Sequence, residues 1–212
     1  MKDALKLLMN DFPVLPDKFP PIVWKHQLYA FPALGSKTNV NLEVQNLLQS
    51  SKIRCVKLQS ILTANSTAIV FRKDFEKYAK KRYPSKVTDK FLGLIKTVSD
   101  STLKASVLNT FSKEEIKELV QVGLLASDRE VGNYLLTIPG AGLFTRIHDL
   151  GRKVLIRTIR STKFNEIMAG ELKQRKLPAN CRFDFRFLLS DLIGSGQVES
   201  VQTPAGLLLR LA

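Results

Sequence analysis

The chain contains three segments in which a helix-forming stretch is followed by a strand, a polar turn and a second strand. In the first segment, the apolar pattern predicts a helix over residues 42–50 and strands over residues 52–58 and 67–71. The same order recurs twice, with helices over 112–122 and 184–193, strands over 124–127 and 134–138, and strands over 197–201 and 207–211. The recurrence is one of architecture, because the residues themselves differ between the segments.

A helix followed by a two-stranded ribbon is the second half of a winged helix. The sequence therefore predicts an α+β fold, mainly helical, with three tandem winged-helix domains. Boundaries at the Pro84-Ser85 step and at the Gly140-Ala-Gly142 stretch divide the chain into three domains. Residues 1–84 form a lead-in and winged helix 1, residues 85–139 winged helix 2, and residues 140–212 a linking basic helix and winged helix 3. Units of roughly 70 residues are marginally stable alone, so we expect the domains to be packed together.

Local signals predict where several helices begin and end. Ser112 with Glu115 three residues later predicts a capping box, and Gly123 suits the left-handed position that ends a helix. Pro21 predicts the first position of a helix that runs through Tyr29. Thr88 is expected to cap the first helix of the second domain. A further helix is expected over residues 166–176.

The chain is strongly basic, with 33 Lys and Arg against 19 Asp and Glu, a formal net charge of +14 and a pI near 9.9. Such an excess attracts polyanions, and the attraction weakens as salt rises. Tandem winged helices usually contact nucleic acid, so the charge and the repeat point in the same direction. The alternative is a basic protein with scattered lysines, and clustering of the cations decides between the two interpretations.

The cations cluster most strongly in residues 143–164. At 100° per residue, Arg146, Lys153, Arg157 and Arg160 fall within a stripe of about 60° and about 20 Å in length, while apolar residues occupy the opposite side. One face can therefore pack on the protein while the other presents four cations to a run of phosphates. The alternative is a solvated basic face, and a helix break at Gly151 would destroy the register.

Basic residues also flank this stripe and the last predicted helix. That helix is rich in phenylalanine, so much of it must be buried, and we expect contact with the DNA backbone rather than reading of bases. The candidate DNA-binding residues are Arg146, Arg152, Lys153, Arg157, Arg160, Lys163, Arg182 and Arg186.

The Gly140-Ala-Gly142 stretch raises the question of a nucleotide-binding loop. The third glycine of a dinucleotide fingerprint is absent, since Thr145 stands there, and no acidic residue lies about 20 positions further on. A helix N-terminus with small residues can still hold one backbone phosphate, and a plain turn is equally compatible with the sequence. We therefore expect no cofactor.

Catalytic and metal-binding patterns are not found in the sequence. The two histidines, His26 and His148, do not form a cluster with zinc-ligand spacing, and the residue sets of a protein kinase are missing. We therefore expect neither an enzyme nor a metal site. Cys55 and Cys181 lie among apolar residues and are expected to be buried, inert thiols. With no signal peptide and no transmembrane run, an intracellular, reducing location and no membrane association are expected.

Short stretches along nearly the whole chain resemble the serine/threonine-protein kinase 19 family. They are Pro20-Pro-Ile-Val23, Ile138-Pro-Gly-Ala-Gly142 with Phe144, Gly151-Arg152, Arg160 with Lys163, Glu171-Leu172, Asp191-Leu-Ile-Gly194 and Leu208-Leu-Arg-Leu211. Despite its name, this family is similar to proteins with three tandem winged helices and has no kinase fold. By this resemblance, Arg146, Arg152, Arg160 and Lys163 match basic positions of the family's DNA-facing segment, whereas Lys153 and Arg157 come from the helical pattern alone.

The resemblance also implies a function. It implies a nuclear protein that binds double-stranded DNA and acts in transcription-coupled nucleotide excision repair, bridging the stalled RNA polymerase II repair assembly and TFIIH. We therefore expect a non-enzymatic DNA-binding adaptor. The alternative is a winged-helix scaffold that binds only other proteins, with its positive charge directed at acidic partners.

Overall fold

A computed structural model describes residues 1–12, 19–58, 66–98, 100–128, 130, 132–175, 177, 181 and 183–212. Arg182, one of the candidate DNA-binding residues, lies outside the described residues. The described chain mixes helices with three small antiparallel sheets of three strands each. Each sheet belongs to one unit, and the units follow one another along the sequence.

The first unit is built around the sheet with strand order β1-β3-β2. Its elements are α1 (Lys2–Asn10), β1 (Val23–Trp24), two short 3-10 helices (Lys25–Ala30 and Pro32–Leu34), α2 (Lys37–Gln49), β2 (Ile53–Leu58) and β3 (Ser66–Phe71). Strands β2 and β3 pair with Cys55 opposite Ile69, and β1 pairs with the other side of β3. Helix α3 (Arg72–Arg82) follows and leads to the second unit.

The second unit is the smallest, with strand order β4-β6-β5. Its elements are α4 (Lys86–Thr97), β4 (Thr102–Lys104), α5 (Lys113–Gln121), β5 (Leu125–Ser127) and β6 (Asn133–Leu136). The predicted capping box is confirmed, because the Ser112 hydroxyl accepts from the Glu115 amide at 3.2 Å and the Glu115 carboxylate accepts from the Ser112 amide at 2.8 Å.

The third unit has strand order β7-β9-β8. Its elements are α6 (Ala141–Arg160), a 3-10 turn (Lys163–Asn165), β7 (Glu166–Met168), α7 (Ala169–Gln174), α8 (Phe185–Gly194), β8 (Val198–Thr203) and β9 (Gly206–Leu211). Helix α8 lies immediately before the β8–β9 ribbon, as α2 and α5 lie before the ribbons of their own units. The strand orders also agree, because in each of the three sheets the last strand of the unit lies in the centre.

The helix before each ribbon ends in the same way. A residue with positive φ follows the helix, namely Ser51 (φ 52°), Gly123 (φ 78°) and Gly196 (φ 75°). The next amide then donates to a carbonyl five residues back, at 3.0, 2.9 and 3.0 Å respectively. This is the helix ending for which glycine is usually chosen, because glycine has no Cβ to clash in the left-handed conformation. The prediction for Gly123 is confirmed.

Three local predictions are wrong. The helix predicted to start at Pro21 starts only at Lys25, as a 3-10 helix, because Val23 and Trp24 pair with β3 as strand β1. Ser85, not Thr88, caps α4, and its hydroxyl accepts from the Thr88 amide at 3.1 Å. The segment predicted as one helix over residues 166–176 begins as strand β7, which pairs with β9, before α7 starts.

An aromatic cluster joins the first and third units. It contains rings from the lead-in, β1, α6 and the segment around α8, namely Phe12, Phe19, Trp24, Phe144, Phe183 and Phe187, all buried. The rings of Phe183 and Phe187 stack with centroids 5.0 Å apart, and those of Trp24 and Phe144 lie 5.4 Å apart. Burial of this many aromatic side chains is a large apolar contribution to stability, so these units share one core.

Close backbone packing reinforces this junction. Helix α8 lies against the 3-10 helix Lys25–Ala30. A Cβ added at Gly194 would lie 1.9 Å from the His26 carbonyl oxygen, so only glycine allows the two backbones to approach.

The second unit contacts the first by polar bonds. The Tyr78 hydroxyl donates to the Pro139 carbonyl at 3.3 Å, and the buried Arg54 guanidinium donates to the Ile95 carbonyl.

Cys55 is half-buried and Cys181 is buried, and neither forms a disulfide. Burial raises the pKa of both thiols, which disfavours the reactive thiolate. In the described part of the chain, no helix combines the length and apolarity needed to cross a bilayer.

Candidate nucleic-acid interface

Helix α6 forms the scaffold of the candidate interface. Its 20 residues run without a break from Ala141 to Arg160, which corresponds to about 30 Å. Gly151 does not interrupt it. A Cβ at Gly151 would lie 2.7 Å from Leu188 and 2.8 Å from the Cys181 sulfur, so this glycine allows α6 to approach α8 closely. The register assumed for the cation stripe is therefore kept along the whole helix.

The predicted stripe lies on the outer surface of α6. Arg146, Lys153, Arg157 and Arg160 are all exposed, while Phe144, His148, Leu155 and Ile159 are buried on the inner side. Among the residues that the structure describes, none of the four cations forms an ion pair with a carboxylate. Their charge is therefore available to an external anion. We call these four residues the α6 stripe.

An exposed apolar side chain borders the α6 stripe. Leu150 is 38% exposed and occupies the turn between Arg146 and Lys153. At 100° per residue it lies about 40° from Arg146, on the same side as Arg157. The prediction that apolar residues lie on the opposite face is therefore incomplete, because the helical periodicity itself puts Leu150 next to Arg157.

The turn after α6 extends this surface. Lys163 is exposed, and its ammonium group lies 4.9 Å from the ring centroid of Phe164. Phe164 is 75% exposed and has a φ of 61°, a conformation that costs energy in a bulky residue. No pattern in the sequence predicts this exposed ring, because a phenylalanine next to a helix end is usually buried.

The structure contradicts the assignment of Arg152 to the DNA-contacting set. Arg152 is only 1% exposed and points into the protein. Its Nη2 donates to the Gln197 side chain at 2.7 Å, and its Nε lies 3.1 Å from an Asp191 carboxylate oxygen. The assignment came from the family resemblance, whereas at 100° per residue Arg152 lies about 120° from Arg146, on a side of α6 that packs against α8.

Arg186 is exposed but already has a partner. Its Nε lies 3.0 Å from the Asp11 carboxylate, so its charge is largely compensated. Burial raises the pKa of Asp11, and the Arg186 charge opposes this rise. Arg186 thus ties the start of α8 to the lead-in and is a weaker candidate for phosphate contact than the α6 stripe.

The helices that precede the three ribbons carry little positive charge on their exposed faces. Helix α8 is mostly buried against the first unit, as its phenylalanines predict. Helix α5 has Glu114 and Glu115 in its first turn, which would repel a phosphate. The exposed side of α2 is mainly uncharged, with Leu42 protruding. Of α2, α5, α6 and α8, α6 therefore presents the largest row of exposed cations to a phosphate backbone.

A buried polar network lies beneath the α6 stripe. The Asp191 carboxylate lies 2.6 Å from His26 Nε2 and 3.6 Å from His148 Nε2. The Trp24 indole N–H donates to His148 Nδ1 at 3.3 Å, which leaves the proton of the neutral ring on Nε2, facing Asp191. Burial lowers the pKa of His148 to about 4, so the ring is neutral at physiological pH. The network is buried apart from the partly exposed His26, and it joins the first and third units.

Comparison with known proteins agrees with the family assignment. A family model described as inactive serine-threonine protein kinase 19 matches residues 13–211. The chain belongs to this family. The resemblance drawn from the sequence is thereby confirmed, and the description of the family as inactive is consistent with a protein that is not an enzyme. Among the described residues there is no group of three or more His, Cys, Asp or Glu side chains arranged to hold a metal ion.

Relatives within the inactive serine-threonine protein kinase 19 family carry two kinds of name. Winged helix repair factor 1 of Xenopus laevis is 32% identical over 204 residues, covering 92% of this chain and 76% of the relative. Winged helix repair factor 1 of Homo sapiens is 29% identical over 218 residues, covering 98% of this chain and 84% of the relative. A Schizosaccharomyces pombe protein named serine/threonine-protein kinase mug51 is 29% identical over 107 residues, covering 48% of this chain and 35% of the relative.

Proposed function

We propose that this protein is a non-enzymatic adaptor that binds double-stranded DNA through the phosphate backbone. The observation that carries the proposal is the α6 stripe, in which four exposed cations without carboxylate partners follow one face of a continuous helix. Lys163 lengthens the row beyond the helix end. A line of about 20 Å of positive charge matches a run of phosphates better than it matches a small ligand.

The proposed architecture is three tandem winged-helix domains, at residues 1–84, 85–139 and 140–212. Three observations support it: the shared strand order of the sheets, the shared ending of the helix before each ribbon, and the name winged helix repair factor 1 of the relatives. In this proposal α2, α5 and α8 occupy the position of a recognition helix.

The proposed binding has little sequence preference. Base reading in the major groove needs side chains that reach base edges from an exposed helix. Helix α8 is buried and the first turn of α5 is acidic, which leaves backbone contact by α6 as the main source of affinity.

The proposed cellular role is DNA repair in the nucleus, and more narrowly transcription-coupled nucleotide excision repair. There the protein would bridge the stalled RNA polymerase II repair complex and TFIIH. Support comes from membership of the family and from the name of the relatives, which refers to repair. The surface that would contact these protein partners is a separate question from the DNA-binding face.

The experiment that tests DNA binding reverses three charges of the α6 stripe. The triple variant Arg146→Glu, Arg157→Glu and Arg160→Glu should lose binding to a labelled duplex in fluorescence anisotropy. For the unmodified protein, five phosphate contacts predict that log affinity falls with log salt at a slope of about −4.5. The variant should show a slope much closer to zero.

A matched control separates the α6 stripe from general charge. Lys86→Glu, Lys96→Glu and Lys104→Glu change the net charge by the same amount on exposed residues of the second unit outside α5. This control should keep most of the affinity at moderate salt, and both variants should retain the circular dichroism of the folded protein. Equal loss in the two variants, or no loss in the first, would overturn the assignment of the DNA face.

The alternative function is a scaffold that binds other proteins without touching DNA. The exposure of Leu150 at the edge of the α6 stripe and of Phe164 beyond its end favours this alternative, because apolar side chains anchor protein interfaces. The two functions predict different results in one salt series. A scaffold would show no duplex binding at low salt, whereas the adaptor binds at low salt and releases DNA as salt rises.

A further inference from the structure

A cavity of about 510 Å³ in the first unit is lined by cations. It lies where α1, the end of α2 and the start of α3 meet, and it is on other elements than the α6 stripe. Its charged lining includes Lys2 and Lys6 of α1, Lys52 in the turn after α2, and Lys73 of α3. Leu47 and Phe71 form the apolar part of the lining. We call this cavity the lysine pocket.

Two ammonium groups of the lysine pocket, those of Lys2 and Lys52, lie close to each other. Lys2 lies within hydrogen-bonding reach of Lys52, and this contact, followed by charge repulsion, lowers the pKa of Lys52. In the described part of the chain, none of Lys2, Lys6, Lys52 and Lys73 forms an ion pair with a carboxylate. Adjacent like charges are unfavourable, so an anion placed between them would relieve the repulsion.

The remaining charged residues of the lysine pocket do not neutralise it. Arg72 is engaged, since its Nε donates to the Ser51 carbonyl at 2.6 Å and its Nη1 pairs with Glu76 at 2.7 Å. Asp74 is one carboxylate among five cations, and burial raises its pKa against the opposing charge of Lys77. Helix α3 also begins without a side chain that accepts from its first amides, so its positive end adds to the attraction for an anion.

The apolar lining distinguishes between two kinds of anionic ligand. A duplex backbone presents phosphates and sugars, which gain little from contact with Leu47 and Phe71. A peptide with carboxylates next to an apolar side chain can satisfy both parts of the lysine pocket at once. Cations around a concave apolar floor therefore favour the peptide.

We propose that the lysine pocket is a docking site for an acidic peptide segment of a partner protein. Carboxylates of the segment lie between Lys2 and Lys52 and towards Lys6 and Lys73, and an apolar side chain rests on Leu47 and Phe71. This site goes beyond the proposed DNA contact, because it occupies other elements and needs no nucleic acid. It would let the protein hold a protein partner and a duplex at the same time.

The test uses a fluorescein-labelled peptide of about a dozen residues, mostly glutamate with two phenylalanines, and the full chain. Anisotropy should show binding that weakens at least about tenfold in the double variant Lys2→Glu and Lys52→Glu. The control Lys104→Glu and Lys113→Glu has the same net charge and should bind within about twofold of the unmodified protein. A peptide with glutamine in place of glutamate should bind at least about tenfold more weakly than the glutamate peptide.

A crosslinking experiment on the unmodified protein locates the peptide independently of any variant. A carbodiimide joins carboxylates directly to amines, and mass spectrometry should place the crosslinks on Lys2, Lys6, Lys52 or Lys73. Crosslinks confined to other lysines, or equal binding by the double variant and its control, would overturn the proposal. Loss of duplex binding in the double variant with peptide binding intact would also overturn it and assign the pocket to nucleic acid.

The two proposals can fail separately. The triple reversal on the α6 stripe removes duplex binding if the proposed function is right, and it should leave peptide binding within about twofold. Peptide binding that disappears with the α6 stripe and not with the lysine pocket would contradict the docking site alone.

Discussion

Arg152 of α6 and Asp191 of α8 form an ion pair in the protein interior, with Nε and Oδ2 3.1 Å apart. Both side chains are almost completely buried. The Nε–H is not aligned with the carboxylate, so attraction between charges rather than a linear hydrogen bond holds the pair together. Burial opposes the ionisation of Asp191, but His148, the hydrogen bond from His26 and the charge of Arg152 outweigh it and lower the pKa of this carboxyl. A basic residue that resembled a DNA contact is thus a structural cation.

Removal of the Arg152 side chain should destabilise the protein strongly. Arg152→Ala leaves Asp191 as a buried charge without its main cationic partner, and breaking a buried pair in this way costs about 3–5 kcal/mol. Urea unfolding followed by circular dichroism measures the loss. The exposed Arg157→Ala on the same helix should change the free energy of unfolding by less than about 0.5 kcal/mol.

The opposite result for the two variants would show that Arg152 contacts DNA and does not stabilise the interior. That result is normal stability with weakened duplex binding in Arg152→Ala, and weakened stability in Arg157→Ala. Replacing both partners, as in Arg152→Met with Asp191→Leu, should recover part of the lost stability, because no buried charge is then left alone.

Stability should fall in mild acid because of His148. Its pKa is about 4 in the folded protein, below the ordinary value of 6.5, so the unfolded chain binds more protons between these values. The stabilisation is complete above pH 6.5 and is lost as pH falls towards 4. Lowering the pH from about 7.5 to about 5 should remove about 2 kcal/mol through this group.

The variant His148→Gln isolates this effect. Glutamine can accept from Trp24 but does not titrate, so the variant should lose less stability than the unmodified protein over the same pH interval. Urea unfolding at the two pH values gives the comparison. Identical losses in the two proteins would show that His148 titrates normally and is not buried as described.

Two glycine-to-alanine changes should have opposite effects on stability. At Gly194 the new Cβ would lie 1.9 Å from the His26 carbonyl oxygen, so Gly194→Ala forces two backbones apart and should cost about 3 kcal/mol or more. Gly93 lies in α4 with no atom within 4 Å of an added Cβ, so Gly93→Ala should stabilise by about 0.5–1 kcal/mol. Thermal melts of both variants test the pair, and similar shifts would refute the close approach at Gly194.

Phe164 should matter for binding and not for folding. Phe164→Gly removes a bulky residue from a left-handed conformation, so stability should be unchanged or rise by up to about 1 kcal/mol. Duplex affinity should fall about two- to fivefold, because the ring lies 4.9 Å from the Lys163 ammonium and helps to hold it in place, and an exposed cation–π contact is worth about 0.5–1 kcal/mol. The control Val201→Ala removes an exposed apolar group from the third ribbon and should leave affinity unchanged.

A parallel fall in stability and affinity would contradict this separation for Phe164. It would mean that the ring supports the turn after α6. Unchanged affinity together with unchanged stability would exclude Phe164 from the DNA face and leave the α6 stripe to bind phosphates alone.

The helices and ribbons of the three units were predictable because their signals are local. The capping box at Ser112 and the left-handed Gly123 depend on residues within a few positions of one another. Strand β1 was missed because its two residues form a strand only by pairing with β3, more than 40 positions away. The first strand of each unit has this same dependence on distant partners.

The candidate interface was predictable to a similar degree and for a similar reason. The exposure of Arg146, Lys153, Arg157 and Arg160 follows from helical periodicity once α6 is continuous. The inward position of Arg152 depends on Asp191 and Gln197, which periodicity alone does not bring near. The lysine pocket unites α1, α2 and α3 and has no linear signature.

Most of the helices and ribbons, the excess of positive charge and the face of α6 that carries it could be deduced from the sequence, because these properties are encoded in spacing along the chain. Tertiary structure alone decided which cations are free and which are buried partners, and which lysines meet in one cavity. The physical reason is that an ion pair or a pocket depends on distances through space, and those are set by how the helices pack rather than by neighbours in sequence.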